Sequence, residues 1–176
     1  MGRWNKEAIY WDSCVFIALI TGEDRPNGEL NGVLDCAERV DKNEIYLVTY
    51  KDSTEMEVLE ANMSEEAKAM INQLFARRNV IELPNHPRVQ ILAKEIREYY
   101  EEEKLRDHGK SIEVQDAYHL AAAIYYQVDA FYTFDDGKKS KTRGLLGLNH
   151  DVAGHALLIC KPPFTEPRLF TKSTLI

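Results

Sequence analysis

At 176 residues, 44% of them hydrophobic and 29% charged, the chain has the size and composition of one domain with a full core. The formal net charge of -7 argues against nucleic-acid binding by overall charge, while leaving room for a local basic face. No apolar run approaches the roughly 20 residues that span a membrane, and the start, residues 1–6, has no apolar stretch of the kind that directs secretion. Three widely spaced cysteines, Cys14, Cys36 and Cys160, fit reduced, buried thiols rather than a disulfide framework or a zinc site. The expectation is a cytoplasmic protein with no membrane association.

In chain order, residues 8–13 read as a first strand with Asp12 at its end, followed directly by an apolar helical turn or two over 14–20. Gly, Pro and Asn mark a loop at 21–28. Leu30, Val33, Leu34, Ala37 and Val40 then repeat at helical spacing, and 44–49 form a second buried strand. Asp52 or Ser53 can cap a short helix, since both Asp52-x-x-Glu55 and Thr54-x-x-Glu57 have capping-box spacing. Ser64 opens another helix, Val80–Leu83 is a third strand, and a long amphipathic helix runs to a break at 107–109. An alanine-rich helix with Val114, Ala117, Ala121, Ile124 and Val128 on one face precedes an aromatic strand at 130–134. A basic stretch and a last strand at 156–160 complete the domain, expected over residues 1–163, with 164–176 an irregular tail. Near-continuous apolar strands alternating with helices predict an α/β fold: a three-layer α/β/α sandwich around a mostly parallel sheet of about five strands.

Four acids carry the chemistry. Asp12 ends the first strand, Glu57 lies just after the second, Asp116 opens the alanine-rich helix and Asp135 ends the fourth strand. In a parallel sheet all four positions fall on one edge, where ligands of open α/β folds bind. Buried carboxylates need a positive neutraliser. Mg²⁺ or Mn²⁺ suits oxygen ligands and water, and such ions support displacement at phosphorus. Ser13 is placed to hydrogen-bond a ligand carboxylate or a metal-bound water. Taken singly, each acid reads as a cap or turn residue; the shared edge is what points to a site.

These segments resemble the PIN domain, the fold of many metal-dependent ribonucleases including VapC-type toxins. The resemblance runs over residues 8–160 and rests on Ile9-Tyr-Trp-Asp-Ser-Cys-Val-Phe16, Glu57-Val-Leu59, Asp116-Ala-Tyr-His-Leu-Ala-Ala-Ala123 and Thr133-Phe-Asp135. It implies that Asp12, Glu57, Asp116 and Asp135 bind Mg²⁺ or Mn²⁺ and that the protein cleaves single-stranded RNA. It also implies an antitoxin partner and a homodimer. The chain departs from the family after its second strand, where Tyr50-Lys51-Asp52 follows Thr49. Glu55, and more distantly Glu60, are therefore rivals for the second acid, and Asp136 for the fourth.

Lys138, Lys139, Lys141 and Arg143 follow the fourth acid, while Arg106, His108 and Lys110 precede the third. They are candidate RNA-phosphate contacts or solvated surface charges. Tyr50 or Trp11 could stack on a base, Trp11 fitting the core better. His119 fits helix packing, and His150 and His155 have poor ligand spacing. Nucleotide-binding glycine motifs and the nucleophile-elbow motif are absent. The competing readings are an RNA- or protein-binding module that keeps the fold without turnover, favoured by the departure after strand two, and a small-molecule phosphohydrolase, weakened by Cys14 where a second Asp would be wanted.

Overall fold

The segment Glu7-Ala-Ile-Tyr-Trp11 has only its first residue exposed, and its side chains alternate between two cores. This is β1 (Glu7–Trp11), the middle strand of the fold. The computed structural model describes residues 4–23, 28–50, 54, 64–107, 109–138 and 141–163. After β1 come α1 (Ser13–Thr21), α2 (Glu29–Asp41), β2 (Ile45–Tyr50), α3 (Glu65–Phe75), β3 (Val80–Leu83), α4 (Pro87–Asp107), α5 (Val114–Tyr126) and β4 (Ala130–Tyr132). A 3₁₀ turn at Leu145–Leu148 and β5 (Ile159–Cys160) complete the order. The strands pair in the order β3-β2-β1-β4-β5, all in parallel.

Ala8 and Tyr10 point into a core shared with Val89, Ala93 and Ile96 of α4 and with Ala117, Leu120 and Ala121 of α5. Ile9 and Trp11 point the other way, against Val15 and Phe16 of α1, Val33 and Val40 of α2, and Ile71 and Leu74 of α3. The sheet is thus covered on both faces, and its strands carry apolar residues on both, as a buried parallel sheet requires. Three consecutive alanines, Ala121–123, are fully buried and let α5 lie close to the sheet. Ser64 caps α3 by accepting the Ala67 amide at 3.2 Å, as its sequence position predicts.

Several expectations shift in detail. The segment after Asp12 is a nine-residue helix rather than a turn or two. Val114 is 42% exposed, so the buried face of α5 is carried by Ala117, Leu120, Ala121 and Tyr126. β4 stops at Tyr132, leaving Asp135 three residues beyond it, and β5 is only two residues long. Capping signals at Asp52 and Ser53, and the tail 164–176, lie outside the described residues. Among the described residues no helix is long and apolar enough to cross a membrane.

Gly32 reports how tightly the layers close. A Cβ built there would lie 2.1 Å from the carbonyl oxygen of Pro162, so α2 touches the backbone beyond β5. Alanine in a helix interior is ordinarily better than glycine by about 1 kcal/mol. Here overpacking reverses the sign: Gly32→Ala is expected to destabilise the protein by about 1–3 kcal/mol. A thermal or urea unfolding curve checks this.

Candidate active site at the carboxyl edge of the sheet

Successive strands run outward from β1 to β2 and β3, after which the chain returns to the other side of β1 as β4. The reversal between β1 and β4 is a topological switch point, the place where open α/β sheets leave a crevice. Asp12 comes directly after β1 at this point. Its amide donates to Tyr132 O on β4 at 3.0 Å, and the residue is only 6% exposed.

The carboxylate of Asp12 is fixed by both elements it lies between. Oδ1 accepts the Ser13 amide at 2.8 Å, capping α1. Oδ2 accepts the Thr133 hydroxyl at 2.7 Å and the Cys14 thiol at 3.2 Å. Thr133, wholly buried, accepts the Asp135 amide at 3.0 Å through the same oxygen. Cys14 Sγ accepts the Phe134 amide at 3.2 Å, so the chain leaving β4 is tied to the first turn of α1. Burial and the charge of Asp12 hold the Cys14 thiol well above its ordinary range, keeping it a protonated donor.

Asp135 is half-buried and organises the chain beyond β4. Its Oδ1 accepts the Gly137 amide and its Oδ2 the Leu145 amide, each at 3.0 Å, seating the 3₁₀ turn. Asp136 is exposed, accepts the Lys138 amide at 3.0 Å and pairs with Lys138 Nζ at 2.9 Å, as a turn residue does.

Asp116 lies in the first turn of α5, behind Glu113 as N-cap. A helix N-terminus favours a carboxylate, yet burial raises the Asp116 pKa from 3.8 to about 7. The charges of Asp12, Glu113 and Asp135 add to the rise, and His119 opposes it. The structure therefore gathers Asp12, Asp116 and Asp135 into one electrostatic neighbourhood. Among the described residues none of these three acids forms an ion pair. Glu57, with its rivals Glu55 and Glu60, lies outside the described residues.

Beside Asp12 the Ser13 hydroxyl is buried with no hydrogen-bond partner. Among the described residues no three His, Cys, Asp or Glu side chains stand close enough to hold a metal ion. The donor chemistry still fits a hard cation. Mg²⁺ keeps several waters and is commonly held by one or two carboxylates, and these acids, one buried and two half-buried, have no ion-pair partner among the described residues. Asp12 and Asp116 are the residues that could hold it, with Asp135 near them.

The basic residues divide. Lys138 and Lys141 are exposed, and Lys110 donates to Gly137 O at 3.0 Å beside the turn after Asp135. Arg143 is committed to the fold: it bonds Glu103 at 2.6 Å and Lys110 O at 3.2 Å, and lies 4.8 Å over the Tyr100 ring. Arg106 pairs with Glu102 at 3.2 Å, while Lys139 and His108 lie outside the described residues. Tyr50 and Trp11 are 2% and 0% exposed, so neither offers a ring face to a base. Periodicity and motif reading missed the holders of Asp12: Thr133 and Cys14 reach it from opposite sides of the switch point.

Two solved structures share this fold. VapBC2 from Rickettsia felis, bound to a DNA fragment from its promoter, matches with a TM-score of 0.56 at 13% identity, over 86% of this chain and 96% of that one. FitAB bound to an IR36 DNA fragment matches with a TM-score of 0.52 at 20% identity, over 90% and 98%. No family model matches the sequence, and no curated protein does. The fold is PIN-like, as in these two structures.

Because Asp116 binds its proton more tightly folded than unfolded, stability falls as pH rises from about 4 to about 7. Above that window its buried charge is a net cost. Asp116→Asn is expected to stabilise the metal-free protein at pH 8 by on the order of 2 kcal/mol, with little gain at pH 4. Urea unfolding in EDTA at both pH values measures the difference.

Arg143→Ala is expected to cost about 1–3 kcal/mol through its unpaired partner and lost ring contact, whereas Lys141→Ala stays within about 0.5 kcal/mol. Comparing the unfolding midpoints of the two variants separates the structural cation from the surface one.

Proposed function

We propose that the protein is a metal-dependent endoribonuclease hydrolysing phosphodiester bonds of single-stranded RNA in the cytoplasm, as the toxin of a toxin–antitoxin pair. The observation that carries this reading is the set of acids at the β1–β4 switch point, Asp12 buried and Asp116 and Asp135 half-buried beside it, none of them in an ion pair among the described residues. Asp12, Asp116 and Asp135, with Glu57 as the fourth acid, hold Mg²⁺ or Mn²⁺ on this reading. Bound there, the ion neutralises the acids and supplies Lewis-acid chemistry for attack on a phosphodiester. The residues of the chain do the rest. Ser13, whose buried hydroxyl has no hydrogen-bond partner, binds a water or ligand oxygen beside Asp12. Lys110, Lys138, Lys139 and Lys141 draw the RNA backbone to an edge that the net charge of -7 would otherwise repel. The likeness to VapBC2 and FitAB supports a cognate antitoxin, and pairing with a second copy belongs to the same reading.

One observation favours a second reading. No three ligands converge among the described residues, and both carboxylate oxygens of Asp12 and of Asp135 already accept hydrogen bonds. A chain that kept the fold but lost turnover would bind RNA or a protein partner at the same edge.

Single-stranded and structured RNAs incubated with the purified protein in Mg²⁺, Mn²⁺ or EDTA decide between them. The nuclease cleaves only with metal, and Asp116→Asn slows cleavage by more than about a hundredfold. Intact RNA in every lane, from folded protein free of inhibitor, assigns the binding module.

A further inference from the structure

The end of β2 is not held by an ordinary ladder. β1 and β2 pair only as far as Tyr10 and Val48, while β2 continues against β3 to Tyr50 and Leu83. Where the first ladder stops, side chains take over its hydrogen bonds. The Trp11 carbonyl accepts the Thr49 hydroxyl at 3.3 Å, and the Tyr50 amide donates to the Tyr10 hydroxyl at 2.9 Å. Thr49 Oγ1 in turn lies 2.5 Å from Thr54 Oγ1, so residue 54 is anchored back onto the strand end.

The Tyr10 hydroxyl has a second partner. It lies 2.6 Å from His119 Nδ1 on α5, one turn after Asp116. A hydroxyl has one proton and accepts as well. The Tyr10 hydroxyl thus joins the Tyr50 amide to His119 Nδ1 in one hydrogen-bonded chain, whichever of the oxygen and the ring nitrogen donates between them. Tyr10 and His119 are fully buried and Tyr50 is 2% exposed, within the core between the sheet and α4 and α5. The Tyr10 ring is held by stacking on Phe131, with centroids 4.9 Å apart and planes 7° apart, so the hydroxyl has a fixed position. A buried polar network costs stability unless every member is satisfied, and when satisfied it specifies one arrangement.

We propose that Tyr10 is a positioning residue for the acidic edge: its hydroxyl sets α5, which carries Asp116, against the exit of β2, from which the chain leads to the second acid. This deepens the nuclease reading and rests on it. Neither Tyr10 nor His119 touches substrate on this account. Their role is to fix α5, which carries Asp116, against the exit of β2.

The test uses Tyr10→Phe, which removes the hydroxyl and keeps the stacked ring, beside His119→Asn and His119→Leu. Asn presents its side-chain amide near the place of His Nδ1 and keeps a partner for the hydroxyl, as donor or acceptor, whereas Leu does not. Amide hydrogen exchange in EDTA reads the strand exit without metal or RNA. Exchange at Tyr50 is expected to quicken about tenfold in Tyr10→Phe, with Val48 unchanged, and unchanged exchange at Tyr50 overturns the proposal. Mn²⁺ titration calorimetry and RNA cleavage, run well below the unfolding temperature, read the site. Tyr10→Phe and His119→Leu are expected to weaken Mn²⁺ and lower kcat about tenfold with KM for RNA held, and His119→Asn to recover most of both. Parent-like Mn²⁺ affinity and kcat in Tyr10→Phe, despite faster exchange, reduce the network to a structural one and also overturn the proposal. A parent protein that binds no Mn²⁺ and cleaves no RNA sinks the nuclease reading, and with it the site role of Tyr10; the exchange data show separately whether the hydroxyl holds the strand exit.

Discussion

The structure depends on one constraint above the others: the Asp12 carboxylate is held at once by the strand it ends and the strand beside it. Its amide continues the β1–β4 ladder, while Ser13 and Thr133 grip its two oxygens from opposite sides. Both elements start or stop at that residue, α1 by capping and β4 by the turn that Thr133 begins. A carboxylate accepts about four hydrogen bonds. Three are supplied within the fold, so Asp12 is rigid yet retains acceptor capacity for a ligand. Fixing it in this way costs no further ordering when a ligand arrives, which is the physical meaning of a preorganised site.

Around that fixed point the electrostatics are unrelieved. Asp116 is pushed to about 7 by burial and by Asp12, Glu113 and Asp135, with His119 opposing. The described residues offer nearby cations, but they are spent elsewhere: Lys138 on Asp136, Arg143 on Glu103 and Tyr100, and Lys161 on Glu29 at 2.5 Å. A fold selected for stability alone would exchange such an acid for a neutral residue. Keeping it is the trade of stability against function expected at a binding centre.

Much of the architecture was legible from pattern. The strand at Val80–Leu83 matches its predicted bounds, and Ser64 caps α3 where its position predicts. These features are local, set by period and by the chemistry of one turn. The misses share another physical origin. Val114 fits the helical stripe but lies at the start of α5, where it stays 42% exposed. Asp135 was placed at a strand end, yet β4 stops earlier because the Thr133 hydroxyl takes the Asp135 amide out of extended pairing. The 3₁₀ turn at Leu145–Leu148 forms in a stretch to which the sequence reading assigns no element, because Asp135 supplies its acceptors. Thr133 reaches Asp12 across 121 positions and Tyr10 reaches His119 across 109, separations on which periodicity is silent. For the second acid, the sequence departs from the family pattern where the chain leaves β2, and that stretch lies outside the described residues.

The two halves of the site are built differently, and this bears on how they act. On the β1–β4 side a continuing ladder carries the geometry from strand to carboxylate. On the β1–β2 side the ladder ends early, and single hydroxyls of Thr49, Thr54 and Tyr10 carry it instead. Ladder bonds are many and share a load, whereas a lone buried hydroxyl leaves two partners unsatisfied when it is lost. The β2 side therefore has fewer backbone bonds to share the load than the β1–β4 side, where Thr133 is the lone buried hydroxyl. A chain drifting from catalysis toward binding would then change first at the exit of β2, the same place where this sequence already departs from the family pattern.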